Sequence, residues 1–194
     1  LPILLLVFSV GIGAYDEDDL HKLKTTNQCL SCDLRGANLY RENLKGANLA
    51  GANLAGAMLK KANLEGANLE GTNLIESNMK KAYLTGAILV GVDASRAKIK
   101  GATLTKAILT NANLSNANLV GSHLYKAILN KTNLSGANLS QATLVRADLS
   151  EADLSGANLS HANLYGANLM GATLRATIFC ETLMPDGSTN NSRC

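Results

Sequence analysis

From Leu34 onward an apolar residue stands at every fifth position, with small or polar residues between. Thirty positions from 34 to 179 keep this register; 26 are leucine and the others are Met79, Ala94, Ile99 and Phe179, so one short unit is repeated along most of the chain. Two residues before each stands alanine in 22 of the thirty, and the residue between is most often Asn or Asp, as in Ala47-Asn48-Leu49 and Ala152-Asp153-Leu154. A period of five matches neither the 3.6 of a helix nor the 2 of a strand. On a helix each leucine would turn about 140° from the last, and no continuous apolar stripe would form. In locally extended backbone the alanine and leucine of one unit point the same way, and a bend must follow before the next unit repeats the pattern. Glycine, frequent two residues after the leucine, supplies that bend. The pattern predicts a solenoid of short turns with alanine and leucine inside, not a sheet of long strands.

Units such as Ala37-Asn38-Leu39, Gly51-Ala52-Asn53-Leu54-Ala55-Gly56 and Gly156-Ala157-Asn158-Leu159 resemble the pentapeptide-repeat family, over about 150 of the 194 residues. The resemblance implies an all-β solenoid, a right-handed quadrilateral parallel β-helix with four units to a coil. Thirty units would make about 7.5 coils, a rod about 36 Å long at about 4.8 Å per coil. Within that frame Val92-Asp93-Ala94 exchanges the sizes of the two inward residues, which conserves volume. Glu42 occupies an alanine slot near the start, where the open end or its cap must solvate or pair the carboxylate; its expected role is structural, not catalytic.

The ends read differently. Residues 1–14 (LPILLLVFSVGIGA) carry no charge and give way to Tyr15-Asp16-Glu17-Asp18-Asp19. As a helix they would span about 21 Å, short of a hydrocarbon core of about 30 Å, so they read as the apolar region of a signal peptide. A retained anchor and a segment tucked into the fold are the alternatives. The missing basic start and the leading Leu predict a precursor lacking its first residues. Residues 15–28 predict a capping α-helix and linker: Asp16 to Thr26 starts acidic and ends basic, with Leu20 and Leu23 three apart. The repeat then occupies 29–184. Residues 185–194 form a tail that leaves the turn Met184-Pro185-Asp186-Gly187 without apolar anchors.

Cys180 and Cys194 bracket the tail, and a bond between them would close a loop of about 15 residues, contributing about 3 kcal/mol on the chain-entropy account. Cys29 and Cys32 both fall on inward positions and read as a structural disulfide, with free thiols, a redox pair or half of a metal site as alternatives. Zinc would need further ligands, and the three histidines lack suitable spacing. Disulfides accord with an exported protein.

Composition narrows the chemistry. Hydrophobic residues make up 46% of the chain but only 4% of it is aromatic and tryptophan is absent, which argues against the interlocking core of a conventional enzyme. His21, His123 and His161 share no column; Asp148 and Glu151 point outward from the same face region and Asp153 from the next, all into water. There is no phosphate-cradling glycine loop and no nucleophile elbow. No catalysis, cofactor or metal is expected.

Residues twenty apart should stack, which makes the surface calculable. Arg41, Lys61 and Lys81 form one column, Lys60, Lys80 and Lys100 the column beside it, with Lys98 nearby; Lys106, Lys126 and Arg146 stack on the next face near Tyr125 and Tyr165. Like charges about 5 Å apart repel by up to about 1 kcal/mol in water before screening, so these columns are candidates for an anionic partner against the plainer reading of solvated side chains. Ile88, Ile108 and Ile128 stack where Asn or Asp is usual, beside Val90, either as a docking stripe or as cross-coil pairs that stabilise the wall. The expectation is a non-enzymatic, monomeric interaction module, exported to a periplasm or thylakoid lumen, facing an unidentified protein and, once mature, free of the membrane; secretion or anchoring by residues 1–14 is the alternative. The family's abundance in cyanobacteria adds to that location. Some family members mimic B-DNA and protect DNA gyrase from inhibitors. That alternative needs a strongly negative rod, and a net charge of +3 has the wrong sign. Nucleic acid fits the lysines but not an exported compartment.

Overall fold

The computed structural model describes residues 15–194; the signal-like reading of residues 1–14 lies outside them. After helix α1 (Glu17–Thr26) the chain winds into coils of twenty residues. Parallel bridges join residues twenty apart without a break from Gln28↔Asn48 to Asn163↔Leu183. Each coil has four sides of five residues, and each side pairs through one residue only, too short to form a strand.

One unit shows why the sequence folds this way. Asn63 donates its N–H to the Glu42 carbonyl of the coil before (2.9 Å), and its own carbonyl accepts from Leu44 (2.7 Å), so from the second coil onward each bridge residue is held from one neighbouring chain by both backbone groups. The corner that follows Leu44 is a β-turn: the Ala47 N–H donates back to the Leu44 carbonyl at 3.0 Å, with Gly46 at φ 65°. A left-handed third residue is what a type II turn requires, and glycine adopts it without strain. The Asn or Asp before each leucine secures the next corner, as Asn48 does by accepting the Ala50 N–H on its side-chain oxygen at 3.3 Å.

The core is the axis of this tube. Leu64 is fully buried, and the bridges Asn43↔Asn63↔Tyr83 place it between Leu44 and Leu84. The alanine positions fill the remaining space, and the reversed pair Val92 and Ala94 is buried equally well. Thr72 and Thr132 occupy alanine slots because each hydroxyl donates to a leucine carbonyl of the coil before, Leu49 at 2.9 Å and Leu109 at 2.7 Å. Ser77 and Ser122 sit in equivalent slots with no partner for the hydroxyl. Glu42 is only half buried, in the coil beneath α1.

Both ends are covered in part. Helix α1 starts on the Asp16 carboxylate, which accepts from the Asp18 and Asp19 N–H groups, and buries Leu20 and Leu23 over the N-terminal coil. Asp19 ties it down by accepting the Asp33 N–H at 2.8 Å. Beneath it Cys29 and Cys32 are bonded to each other and buried. At the far end Thr182–Leu183 (β1) pairs antiparallel with Thr189–Asn190 (β2), while Leu183 also bridges to Asn163 of the wall. The tail is thus an added strand of the solenoid, not a free loop, and a Cys180–Cys194 bond pins its end.

Candidate interaction surface

The four sides are named here by their bridge columns. The first carries Asp33, Asn53 and Asp93, the second Asn38, Met58 and Lys98, the third Asn43, Tyr83, Thr103 and His123, and the fourth Asn48, Ile88, Ile108 and Ile128. Side chains at the corners project furthest. The corner between the second and third sides holds Tyr40, Arg41, Lys60, Lys61, Lys80, Lys81 and Lys100. Its stacking is fixed by the backbone: Arg41 donates to the Lys60 carbonyl, Lys61 to Lys80 and Lys81 to Lys100, at 3.0 to 3.1 Å. The next corner holds Lys106, Tyr125, Lys126, Arg146 and Tyr165; there Lys106 donates to the Tyr125 carbonyl and Arg146 to that of Tyr165. The two basic corners therefore border one side, the third.

Charge is segregated around the rod. On other corners the stacked charges alternate in sign and pair across coils: Glu76 with Arg96 at 3.0 Å, Lys131 with Glu151 at 3.8 Å. Beside the third side only Lys45 (with Glu65, 3.2 Å) and His161 (with Glu181, 3.2 Å) have such a partner. Among the described residues no carboxylate pairs with Arg41, Lys60, Lys61, Lys80, Lys81, Lys100, Lys106, Lys126 or Arg146. The first side is acidic by contrast, with Asp33, Asp93 and Asp153 in its column. Hydrogen bonds hold two of these carboxyls below their usual range: Arg35 does so for Asp33, and Ser155 for Asp153. A net charge of +3 conceals this polarity.

Aromatic rings follow the cations. Tyr40, Tyr83 and Tyr165 are exposed at 44%, 49% and 52%, unusual for tyrosine and enough to offer ring faces. The Arg41 guanidinium lies 5.1 Å from the Tyr40 ring centroid, and the Lys126 ammonium 5.4 Å from that of Tyr125. Sequence reasoning reached Tyr125 and Tyr165 but missed Tyr40 and Tyr83, although the twenty-residue spacing puts Tyr40 in the Lys60 column and Tyr83 in the middle of the third side.

The remaining candidates fall elsewhere. Ile88, Ile108 and Ile128 bridge in succession on the fourth side; the first two are half buried by their neighbours and Ile128 is 39% exposed. Lys98 bridges Asn78 and Asn118 on the second side. Ligand atoms of Asp19, Cys29 and Cys32 lie within 4.8 Å of one another, but the two sulfurs are spent on each other and offer no thiolate to a metal.

A twenty-residue coil of four five-residue sides defines the class, a pentapeptide solenoid. Models of the pentapeptide repeats match residues 29–71, 67–106, 97–136, 107–146, 137–175 and 147–184, and the chain belongs to that family. Among solved structures it is similar to a trypsin-treated variant of QnrB1, a plasmid-mediated fluoroquinolone resistance protein, at 21% identity over 75% of this chain and 73% of that one, with a TM-score of 0.68. It is also similar to HetL, a pentapeptide repeat protein involved in heterocyst differentiation regulation from the cyanobacterium Nostoc sp. strain PCC 7120, at 29% identity over 84% of this chain and 87% of HetL (TM-score 0.43). A pentapeptide repeat protein of the Arabidopsis thaliana thylakoid lumen is 30% identical over 53% of this chain and 71% of its own (TM-score 0.49). No match was found among curated protein sequences.

Proposed function

We propose that this protein is a non-enzymatic interaction module, a right-handed quadrilateral β-helix whose third side and basic corners receive an anionic partner. The observation that carries this reading is the uncompensated stacking of like charge. Nine cations face outward beside one side without a carboxylate in contact, while stacked charges on other corners alternate and pair. The same distribution speaks against mimicry of DNA, which needs the opposite sign along the rod. The two disulfides and the apolar residues 1–14 support work in an oxidising compartment, periplasm or lumen. Among the described residues no helix is long and apolar enough to cross a membrane. The isoleucine stripe is assigned to wall stability, since its residues cover one another. The test is capture of partners by wild type, Lys80→Glu and Ile108→Asp. Loss of a partner with Lys80→Glu alone is the expected result, and identical captured sets for all three would overturn the reading.

A further inference from the structure

The proposed basic surface has a spacing and a chemistry that narrow its partner. Each column repeats once per coil, at the distance between hydrogen-bonded chains, about 4.8 Å. Arg41, Lys61 and Lys81 thus present one cation per coil beside Lys60, Lys80 and Lys100, and Lys106, Lys126 and Arg146 continue the series in later coils across the third side. The surface is a diagonal band, long and narrow, fitted to a linear polymer. Six of these cations, the column of Arg41 and the column of Lys106, occupy the left-handed corner position, with φ between 54° and 61°. Glycine fills that position at fourteen other corners and uncharged residues such as Asn111, Asn116 and Gln141 at more, so like charge stacked there is a Coulomb cost that the fold does not require.

Along the band lie the exposed Tyr40, Tyr83 and Tyr165 and the half-buried Tyr125, with Arg41 over the ring of Tyr40 and Lys126 over that of Tyr125. A flat ring next to a positive charge suits a partner that alternates apolar and anionic faces. We infer that the ligand is an acidic polysaccharide, a chain of uronic-acid sugars whose carboxylates meet the cations while the C–H faces of the pyranose rings lie on the tyrosines. One pyranose residue of an extended chain advances by about the height of one coil, so one carboxylate per sugar keeps step with one cation per coil. Duplex DNA, with a phosphate every 3.4 Å or so on each strand, falls out of step. The disulfides support the reading of an oxidising compartment, where glycans abound and nucleic acid does not.

This inference rests on the basic-surface reading of function and is tested with the full chain. Polygalacturonate is titrated into the protein and followed by tyrosine fluorescence and calorimetry at low and high sodium chloride, with dextran and single-stranded oligothymidylate as comparison polymers. Saturable binding of polygalacturonate is expected, weakening at least about tenfold at high salt, with no response to dextran. The pair Lys80→Glu and Lys126→Glu should weaken it at least about tenfold, whereas Arg96→Glu with Arg175→Glu, the same charge change on the corner between the first and second sides and off the third, should leave it within about twofold. Tyr83→Ala, which keeps the charge, should cost about threefold. Circular dichroism of each variant separates loss of binding from loss of fold. The inference is overturned by absence of saturable binding, by equal losses from both charge-reversed pairs, or by tighter binding of oligothymidylate than of polygalacturonate at equal salt. If polygalacturonate fails while Lys80→Glu still loses a captured partner, the ligand class is wrong and the interaction module stands.

Discussion

The slot two residues before each leucine is the tightest place in this molecule, and its occupants show how the interior treats a polar atom. Alanine fills it with one methyl group. Threonine is admitted at positions 72, 132, 177 and 182 because its hydroxyl reaches a leucine carbonyl twenty-three residues earlier, at 2.7 to 2.9 Å. Serine has the same hydroxyl without the γ-methyl that fixes threonine's rotamer, and at 77 and 122 it finds no partner. A buried hydroxyl left unpaired costs about 1–3 kcal/mol, so Ser122→Ala should raise stability by about 1 kcal/mol, seen as a higher urea midpoint at unchanged slope. An unchanged or lower midpoint would mean that the hydroxyl is satisfied. The register of inward residues was legible because burial imposes one residue type on every fifth position. The purpose of the Asn and Asp between them was not: their frequency is visible, but the side-chain bond to the amide two residues on, as from Asn158 to Ser160 at 2.9 Å, exists only once the corner has formed.

At the scale of elements, the two ends obey different rules. Helix α1 carries its signals locally: Asp16 caps it, its first turn is acidic, Lys24 lies in the last turn, and Leu20 and Leu23 share the face laid on the first coil. The tail has no such pattern. Its segment Ser188 to Cys194 neither alternates nor buries a large side chain, and it is ordered by what precedes it: β2 pairs with β1, and the Phe179 N–H donates to the Ser192 carbonyl at 3.1 Å. Its structure was therefore not readable from those seven residues. Backbone pairing without side-chain burial is weak, which leaves the disulfide as the main restraint on the tail. Cys194→Ser should lower stability by up to about 3 kcal/mol and raise hydrogen exchange at the Phe179 and Thr182 amides before the central coils respond. Exchange that rises equally in the coils around Leu104 would show the molecule unfolding as one unit, with no separate tail transition.

For the whole molecule the decisive quantity is angular register, because a solenoid adds length without changing its cross-section. The basic band is assembled from residues spread along the chain from Arg41 to Arg146, and only the twenty-residue coil brings them to one side. Columns could be counted from the sequence, since the count needs nothing beyond the period. What escaped was the relation between the columns: that both basic corners border the third side follows from the order in which the chain visits the sides. This makes the band separable from the fold. The unit Leu114–Asn118 carries no charge and contributes inward residues of the prevailing types. One extra copy placed after Asn118 adds a quarter of a coil, which carries Lys126 and Arg146 to the corner between the fourth and first sides, opposite Lys80 and Lys81. Four extra copies add a whole coil and restore the alignment, displaced along the axis by about 4.8 Å. Both variants should be at least as stable as wild type, because each added unit buries its own leucine and alanine against neighbours of the same kind. Polygalacturonate binding should fall at least about threefold with one copy and recover with four. Recovery cannot come from composition, since the added copies bring no charge. Equal affinity in all three chains would show that the two corners do not act as one surface.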